Sequence, residues 1–285
     1  MTTLGVIGIG LIGGSMALDL KRRGFAGHVI GVEKDPVAAQ AALTIGLVDE
    51  VASYEDCVDR ADIIVVAVPV GAAAKMIPDI LTRFKKGGFA EKIVIDVCST
   101  KEFICRDTQY HPCRGQFVCT HPMAGTEYSG PWAAQPGLFD GRACIFCDSE
   151  ESDPQAVRRI EEMYAVLNMR PIYMQSGQHD IHTAYVSHIS HVTSFALALT
   201  VLDKEKVEKH IFDLASGGFS STVRLAKSNA DMWVPILTQN RENVLQVMDT
   251  YIDKMQQFRQ AVEAMDQDRI RELIEEANRI KKILR

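Results

Sequence analysis

Apolar positions along the chain keep two different rhythms. As far as about residue 177, short apolar runs at 4–9, 29–32, 63–68, 93–97, 117–120, 143–147 and 171–174 punctuate the sequence. Between them lie stretches of helical length, 11–23, 36–45, from Pro69 to about 84, and 154–167. The run at 63–68 holds no polar residue, the pattern of a strand buried on both faces. Asp35 and Pro36 supply an N-cap and a proline at the first helical position. This alternation predicts an α/β fold with a doubly wound, mostly parallel sheet over residues 1–177.

Past residue 177 the strand pattern stops. Val244, Val247, Met248, Tyr251, Ile252, Met255, Phe258 and Val262 fall on one helix face. Ile270, Leu273, Ile274, Ala277, Ile280 and Leu284 repeat the pattern after a polar break at 266–268. Residues 178–285 therefore read as an all-helical domain. Its stripes are expected to pack within the domain, and a homodimer is expected by analogy with other helical domains behind dinucleotide folds. The longest stretch without Asp, Glu, Lys or Arg, 181–202, could span a bilayer by length. It carries three histidines with several serines and threonines, costly in hydrocarbon, so a buried helix and no membrane association are expected.

Composition narrows the function. Thirty-one basic and 37 acidic side chains give a net charge of −6, and 47% of the residues are hydrophobic. That excludes a disordered chain, and with no basic block the chain is not expected to bind nucleic acid. The seven cysteines, all before residue 150, do not form a secreted disulfide framework, and no basic leader precedes the first strand. A reducing, cytoplasmic setting is expected. Cys144 and Cys147 have the spacing of a redox pair but fall inside a predicted strand. Residues three apart there point to opposite faces, so buried thiols are expected.

Gly8-Ile9-Gly10-Leu11-Ile12-Gly13 follows the first strand and opens the first helix. The first glycine permits a tight turn, the second lets backbone approach a pyrophosphate, and the third lets helix and strand pack closely. Helix N–H groups then face the phosphates. Glu33, twenty residues beyond Gly13 at the end of the second strand, can accept from both ribose hydroxyls and repels a 2′-phosphate. This favours NAD over NADP in a Rossmann-type domain, although neighbouring Lys34 could soften the exclusion. Val68 and Pro69, at the end of the 63–68 run, are taken with the loop as cofactor-binding positions.

Two polar clusters fall at predicted strand ends, where open α/β sheets bind ligands. One is Asp96-x-x-Ser99-x-Lys101; the other is His121-Pro122-x-x-Gly125-Thr126-Glu127. Removing a hydride from a carbon that bears a hydroxyl needs a base for the hydroxyl proton, and His121 has the right chemistry. Ser99 is a candidate orienting partner. A histidine merely closing a strand beside Pro122 would look the same. Farther on, His179, Asp180, His182, Ser187, His188 and His191 lie within thirteen residues. On a helix Ser187 and His191 share a face and His188 points partly away. A zinc site would want His at i and i+4 with Glu, or Cys ligands; neither is present, so no metal is expected. Arg224, nine residues before Trp233, can grip a carboxylate with two parallel bonds, or can be an ordinary surface arginine.

Together these motifs resemble the prephenate/arogenate dehydrogenase family of tyrosine biosynthesis, over essentially the whole chain. The resemblance implies that His121 accepts the proton of a ring hydroxyl while Ser99 supports it. It also implies that Arg224 binds a substrate carboxylate and that His191, Thr126, Glu127, Ser187 and Trp233 line the pocket, with His179 beside it. The implied reaction converts prephenate and NAD to 4-hydroxyphenylpyruvate, carbon dioxide and NADH; arogenate is the alternative substrate. Some members carry a fused chorismate mutase or ACT domain, for which this chain is expected to have no room. Two rivals stay open. A β-hydroxyacid dehydrogenase shares the loop but uses a lysine on the helix after the domain junction, where this chain has histidines. A non-catalytic NAD-responsive binding protein would not need His121, Ser99 and Arg224 together.

Overall fold

The structure, a computed structural model, describes residues 1–283. Eight strands form one sheet: β1 (Thr2–Ile7), β2 (Ala26–Val32), β3 (Glu50–Val51), β4 (Ile63–Val66), β5 (Ile93–Asp96), β6 (Phe117–Pro122), β7 (Ala143–Cys147) and β8 (Arg170–Met174). Their order is β3-β2-β1-β4-β5-β6-β7-β8. All neighbours run parallel except β6 and β7. The order reverses between β1 and β4, opening the crevice where such sheets bind ligands.

Helices cover both faces. Leu4, Val6, Val65 and Ile95 pack with α1 (Leu11–Arg22), α2 (Pro36–Ile45) and α6 (Pro154–Val166). Ile30, Ile64, Val66 and Val94 pack with α3 (Tyr54–Arg60), α4 (Val70–Gly87) and α5 (Glu102–Thr108). Every residue of Ile63–Val66 is fully buried, each side chain contributing about 1.5–3 kcal/mol. Cys144 lies in the first cluster and Cys147 in the second, on opposite faces of β7 as their spacing requires.

Several boundaries move from the sequence expectation. The first strand ends at Ile7, because the chain turns at Gly8, and the run at 63–68 is strand only as far as Val66. Glu50–Val51 and α3 have no counterpart in the apolar pattern; they are short and largely polar.

Beyond β8 the described chain holds no strand. It continues as α7 (Ser176–Thr183), a π turn (Ala184–His188), α8 (Ile189–Glu205), α9 (Gly217–Thr222) and α10 (Ala230–Gln239). The buried helix expected at 181–202 is not found: in the apolar window of the helical run Ser176–Glu205 only 11% is buried, although by length and composition the run could cross a membrane. Leu199 and Leu202 are exposed.

Contacts divide the chain into two compact units, Met1–Asn240 and Arg241–Arg285. The second consists of α11 (Arg241–Glu263) and α12 (Gln267–Ala277), joined at Met265 (φ +52°), with Asp266 accepting from the Arg269 N–H at 2.9 Å. Its stripe is only partly closed: Val244 and Val247 are buried, whereas Tyr251, Ile252, Met255 and Val262 are exposed. Leu284 lies outside the described residues.

Candidate active site

The glycine loop has the geometry of a phosphate cradle. Gly8 has φ +93°, and a Cβ there would come within 2.7 Å of the Ala67 carbonyl. At Gly13 a Cβ would sit 2.2 Å from the Gly8 carbonyl, so helix and strand close only on glycine. Gly10 differs: a Cβ there would meet nothing within 4 Å. It precedes α1, whose first N–H groups receive no side-chain cap. An anion fits that open space and those donors. Ile9 and Leu11 are buried, so these two meet a ligand through backbone, and Ile12 is partly buried against the core. The Glu33 carboxylate is held beside the loop, accepting from the N–H groups of Ile9 (3.2 Å), Lys34 (2.9 Å) and Asp35 (3.2 Å). Val68 reaches the loop as well: its Cγ1 lies 2.9 Å from where a Cβ on Gly8 would be, and Pro69 caps α4 next to it. The chain thus carries the parts of a dinucleotide site.

A buried ionic knot ties the ends of β5 and β6 together. Lys101, fully buried, donates to the Asp96 carboxylate and to the Thr120 carbonyl at 2.7 Å. The Thr120 N–H donates to Asp96 Oδ1 at 3.2 Å, its hydroxyl lies 2.6 Å from the Asp96 carbonyl, and the same hydroxyl meets the Tyr164 hydroxyl at 2.7 Å. Burial alone would pull Lys101 down, but the Asp96 carboxylate outweighs it and holds the ammonium protonated well above the ordinary lysine range. Removing one member would leave a buried charge unpaired. The knot sets Ser99 on one strand end and His121 on the next.

His121 is half-buried on β6, opposite Ile145 of β7. Its Nδ1 lies 2.8 Å from His179 Nε2, and His179 Nδ1 lies 2.7 Å from Asp180 Oδ1. Asp180 also accepts from the N–H groups of Lys101 (2.8 Å) and Glu102 (3.0 Å). These contacts assign both tautomers. A carboxylate accepts, so His179 Nδ1 carries its proton and Nε2 accepts; His121 Nδ1 must then donate, which leaves His121 Nε2 bare. Burial foremost, then repulsion from His179, Lys101 and His188, pushes the His121 imidazole well below its usual proton affinity. Ser99 is half-buried at the end of β5 and makes no hydrogen bond to this ring among the described residues.

The helical segment brings further histidines to the same region. His188 is buried, with Nδ1 accepting from Asn240 Nδ2 at 3.1 Å; Asn240 also donates to the Asp180 carbonyl at 2.7 Å. Burial lowers His188 to about 4. Its Nε2 and the Trp233 Nε1 are buried donors with no partner among the described residues. His191 donates from Nδ1 to the Ser187 carbonyl at 3.0 Å and stacks on Trp233 at 3.5 Å between ring centroids. Burial lowers His191 also, with a smaller contribution from the charge of Arg224. His188, expected to point partly away, instead packs edge-on against the same Trp233 at 5.9 Å. The π turn Ala184–His188 adds a residue to that turn and changes the phase assumed for an ordinary helix. Thr100 and Gln239, 3.0 Å apart, tie α10 and its Trp233 to the end of β5.

Arg224 opens a short 3-10 turn and pairs with Glu127 at 2.8 Å, in a more open setting, its side chain 50% exposed. Glu127 is held below the usual carboxylate range, first by its own N–H and then by Arg224. Thr126, half-buried, accepts from the Tyr128 N–H. The fold therefore joins His121 to His179, His191 to Ser187 and Trp233, and Arg224 to Glu127. Reading the sequence alone missed the working partners Asp180, Asn240 and Lys101. Only the Asp96/Lys101 motif and the His179-Asp180 doublet carried any signal of them.

Comparison with known proteins agrees over the whole length. Residues 16–173 match the family model described as "Prephenate dehydrogenase, nucleotide-binding domain", and residues 175–276 match "Prephenate dehydrogenase, dimerization domain". Prephenate dehydrogenase of Bacillus subtilis is 32% identical over 270 residues, 94% of this chain and 72% of that protein. Cyclohexadienyl dehydrogenase of Zymomonas mobilis is 28% identical over 99% of this chain and 96% of its own length. The crystal structure of Aquifex aeolicus prephenate dehydrogenase with hydroxyphenyl propionate and NAD+ superposes with a TM-score of 0.87, at 26% identity, covering 99% of this chain and 98% of that one. Synechocystis arogenate dehydrogenase gives 0.77 at 25% identity, covering 98% and 99%. The chain belongs to the prephenate dehydrogenase family.

Proposed function

We propose that this chain oxidatively decarboxylates prephenate to 4-hydroxyphenylpyruvate, with NAD as cofactor and His121 as the base. One observation carries the assignment of the base: the His121 ring is half-open and neutral, with Nδ1 spent on His179 and Nε2 bare at a strand end on the ligand-binding edge of the sheet. NAD, when bound along Gly8–Gly13, Glu33, Val68 and Pro69, supplies the acceptor for the hydride that leaves C4 of the ring. His121 Nε2 takes the C4 hydroxyl proton. The bond from C1 to its carboxylate breaks, carbon dioxide leaves, the electron pair completes an aromatic ring, and the C4 oxygen takes its proton back from His121. Aromatisation supplies driving force, so the protein chiefly orients and deprotonates; a positioned base is worth about 10²–10⁴-fold.

Arg224 binds the side-chain carboxylate, a charge-assisted contact worth about 1.5–3 kcal/mol, and exchanges Glu127 for it. Ser99, Thr126, Glu127, His179, Ser187, His191 and Trp233 line the same pocket. Domain roles divide at residue 177, with cofactor binding before it and substrate binding and dimerisation after it. The exposed apolar faces of α8 and α11 support a homodimer, and seven free thiols support a reducing cytoplasm. The histidines at 179, 182, 188 and 191 stand where a β-hydroxyacid dehydrogenase would carry its lysine, which disfavours that reading.

The test is kcat/KM for prephenate and arogenate side by side, with NAD, followed at 340 nm. Prephenate is expected to be the better substrate. A preference for arogenate would move the assignment to its dehydrogenase, and no NADH from either would remove it.

A further inference from the structure

We propose that His179 and Asp180 form a proton relay behind His121, so that the positive charge created when the base takes the substrate proton comes to rest on His179 rather than on the base itself. The inference rests on His121 being the base, and it comes from three aligned groups: His121 Nδ1 to His179 Nε2 at 2.8 Å, then His179 Nδ1 to Asp180 Oδ1 at 2.7 Å.

The surroundings of the two rings differ. His121 faces its sheet neighbours, with Lys101 behind the strand end and His188 on the π turn; every charge it feels opposes an imidazolium. The Lys101 ammonium is itself committed to Asp96 and to the Thr120 carbonyl. His179, 1% exposed, faces the Asp180 carboxylate on one side and His121 on the other. Asp180 in turn is fixed by the N–H groups of Lys101 and Glu102, and its carbonyl by Asn240.

The balance closes without a co-reactant. The substrate O–H bond breaks and an N–H bond forms at His121 Nε2. The proton already on Nδ1 crosses to His179 Nε2. One positive charge then sits on His179, paired with Asp180, and His121 is neutral again with its proton on Nε2. As the ring aromatises, His121 gives its Nε2 proton to the C4 oxygen, which completes the phenol of the product, and His179 returns its proton to His121 Nδ1.

Two variants separate the relay from simple support. His179→Gln keeps an acceptor for the His121 Nδ1 proton but cannot carry the charge; His179→Phe removes both. The expected losses in kcat are about 10-fold and about 100-fold, with KM changed less than about twofold. The acid limb of the kcat profile is expected to move to lower pH in both, because His121 alone accepts a proton less readily than the pair does. A kcat within twofold of wild type, or an unmoved acid limb, overturns the relay. In the unaltered enzyme, kcat measured across H2O/D2O mixtures is expected to curve, since two protons move; a straight line overturns it too. His121→Asn runs alongside. If that variant turns over normally the base assignment fails, whereas a dead His121→Asn with normal His179 variants sinks the relay alone.

Discussion

The two ends of the proposed pocket are built on opposite principles. At the reacting end, His121, His179, His188 and Asp180 are packed among fully buried groups, every ring tautomer is set by a hydrogen bond, and the imidazoles at 121 and 188 are kept neutral by burial. At the other end, Arg224 and Glu127 form a charged pair in a half-open setting, where water and salt weaken it. Geometry governs the first and charge the second. Changes at the dry end should therefore appear in kcat or in folding, and changes at the wet end in KM.

The largest expected effect is His121→Asn, which lowers kcat about 10²–10⁴-fold and leaves KM nearly unchanged. A KM effect of similar size would erase the contrast between the two ends. Lys101→Met comes next. It strands the buried Asp96 carboxylate and is expected to cost about 3–5 kcal/mol in denaturant unfolding, part of which returns in the double variant Asp96→Asn with Lys101→Met. Equal stability of the single and double variants would show that the knot is not what holds the two strand ends. At the wet end, Arg224→Gln is expected to raise KM for prephenate about 10–100-fold with kcat within a few-fold. Unaltered saturation would give the carboxylate to another residue.

The smallest effect is on pH stability. His188 in the unfolded chain binds a proton near 6.5, but in the fold only near 4. Between those values the unfolded chain holds more protons, so stability falls as pH drops from about 6.5 to about 4. His188→Gln is expected to flatten part of that fall in Tm, and an unchanged slope would remove His188 as its source.

The same contrast explains what could be read without coordinates. Strands buried on both faces announce themselves as apolar runs, and the glycine loop is a local motif, so the sheet and cofactor cradle were legible. The reacting end was legible only in its parts. His121 and His179 stand 58 positions apart, and no spacing rule pairs a strand end with a helix placed after the last strand. Lys101 reads as a surface charge until the fold buries it against Asp96. The π turn at Ala184–His188 is a backbone phase change that no apolar pattern records, and it brings His188 onto Trp233. The exposure of α8 was hidden for another reason: an apolar run without charges reads as core in a sequence, whether or not it is covered in the fold.

The dry end can be examined directly by ¹⁵N NMR of the histidine-labelled protein at pH 7. The expected spectrum shows a neutral His121 ring with a proton on Nδ1 and none on Nε2. A proton on Nε2, or a charged His121 ring at that pH, would contradict a base held ready by its neighbours.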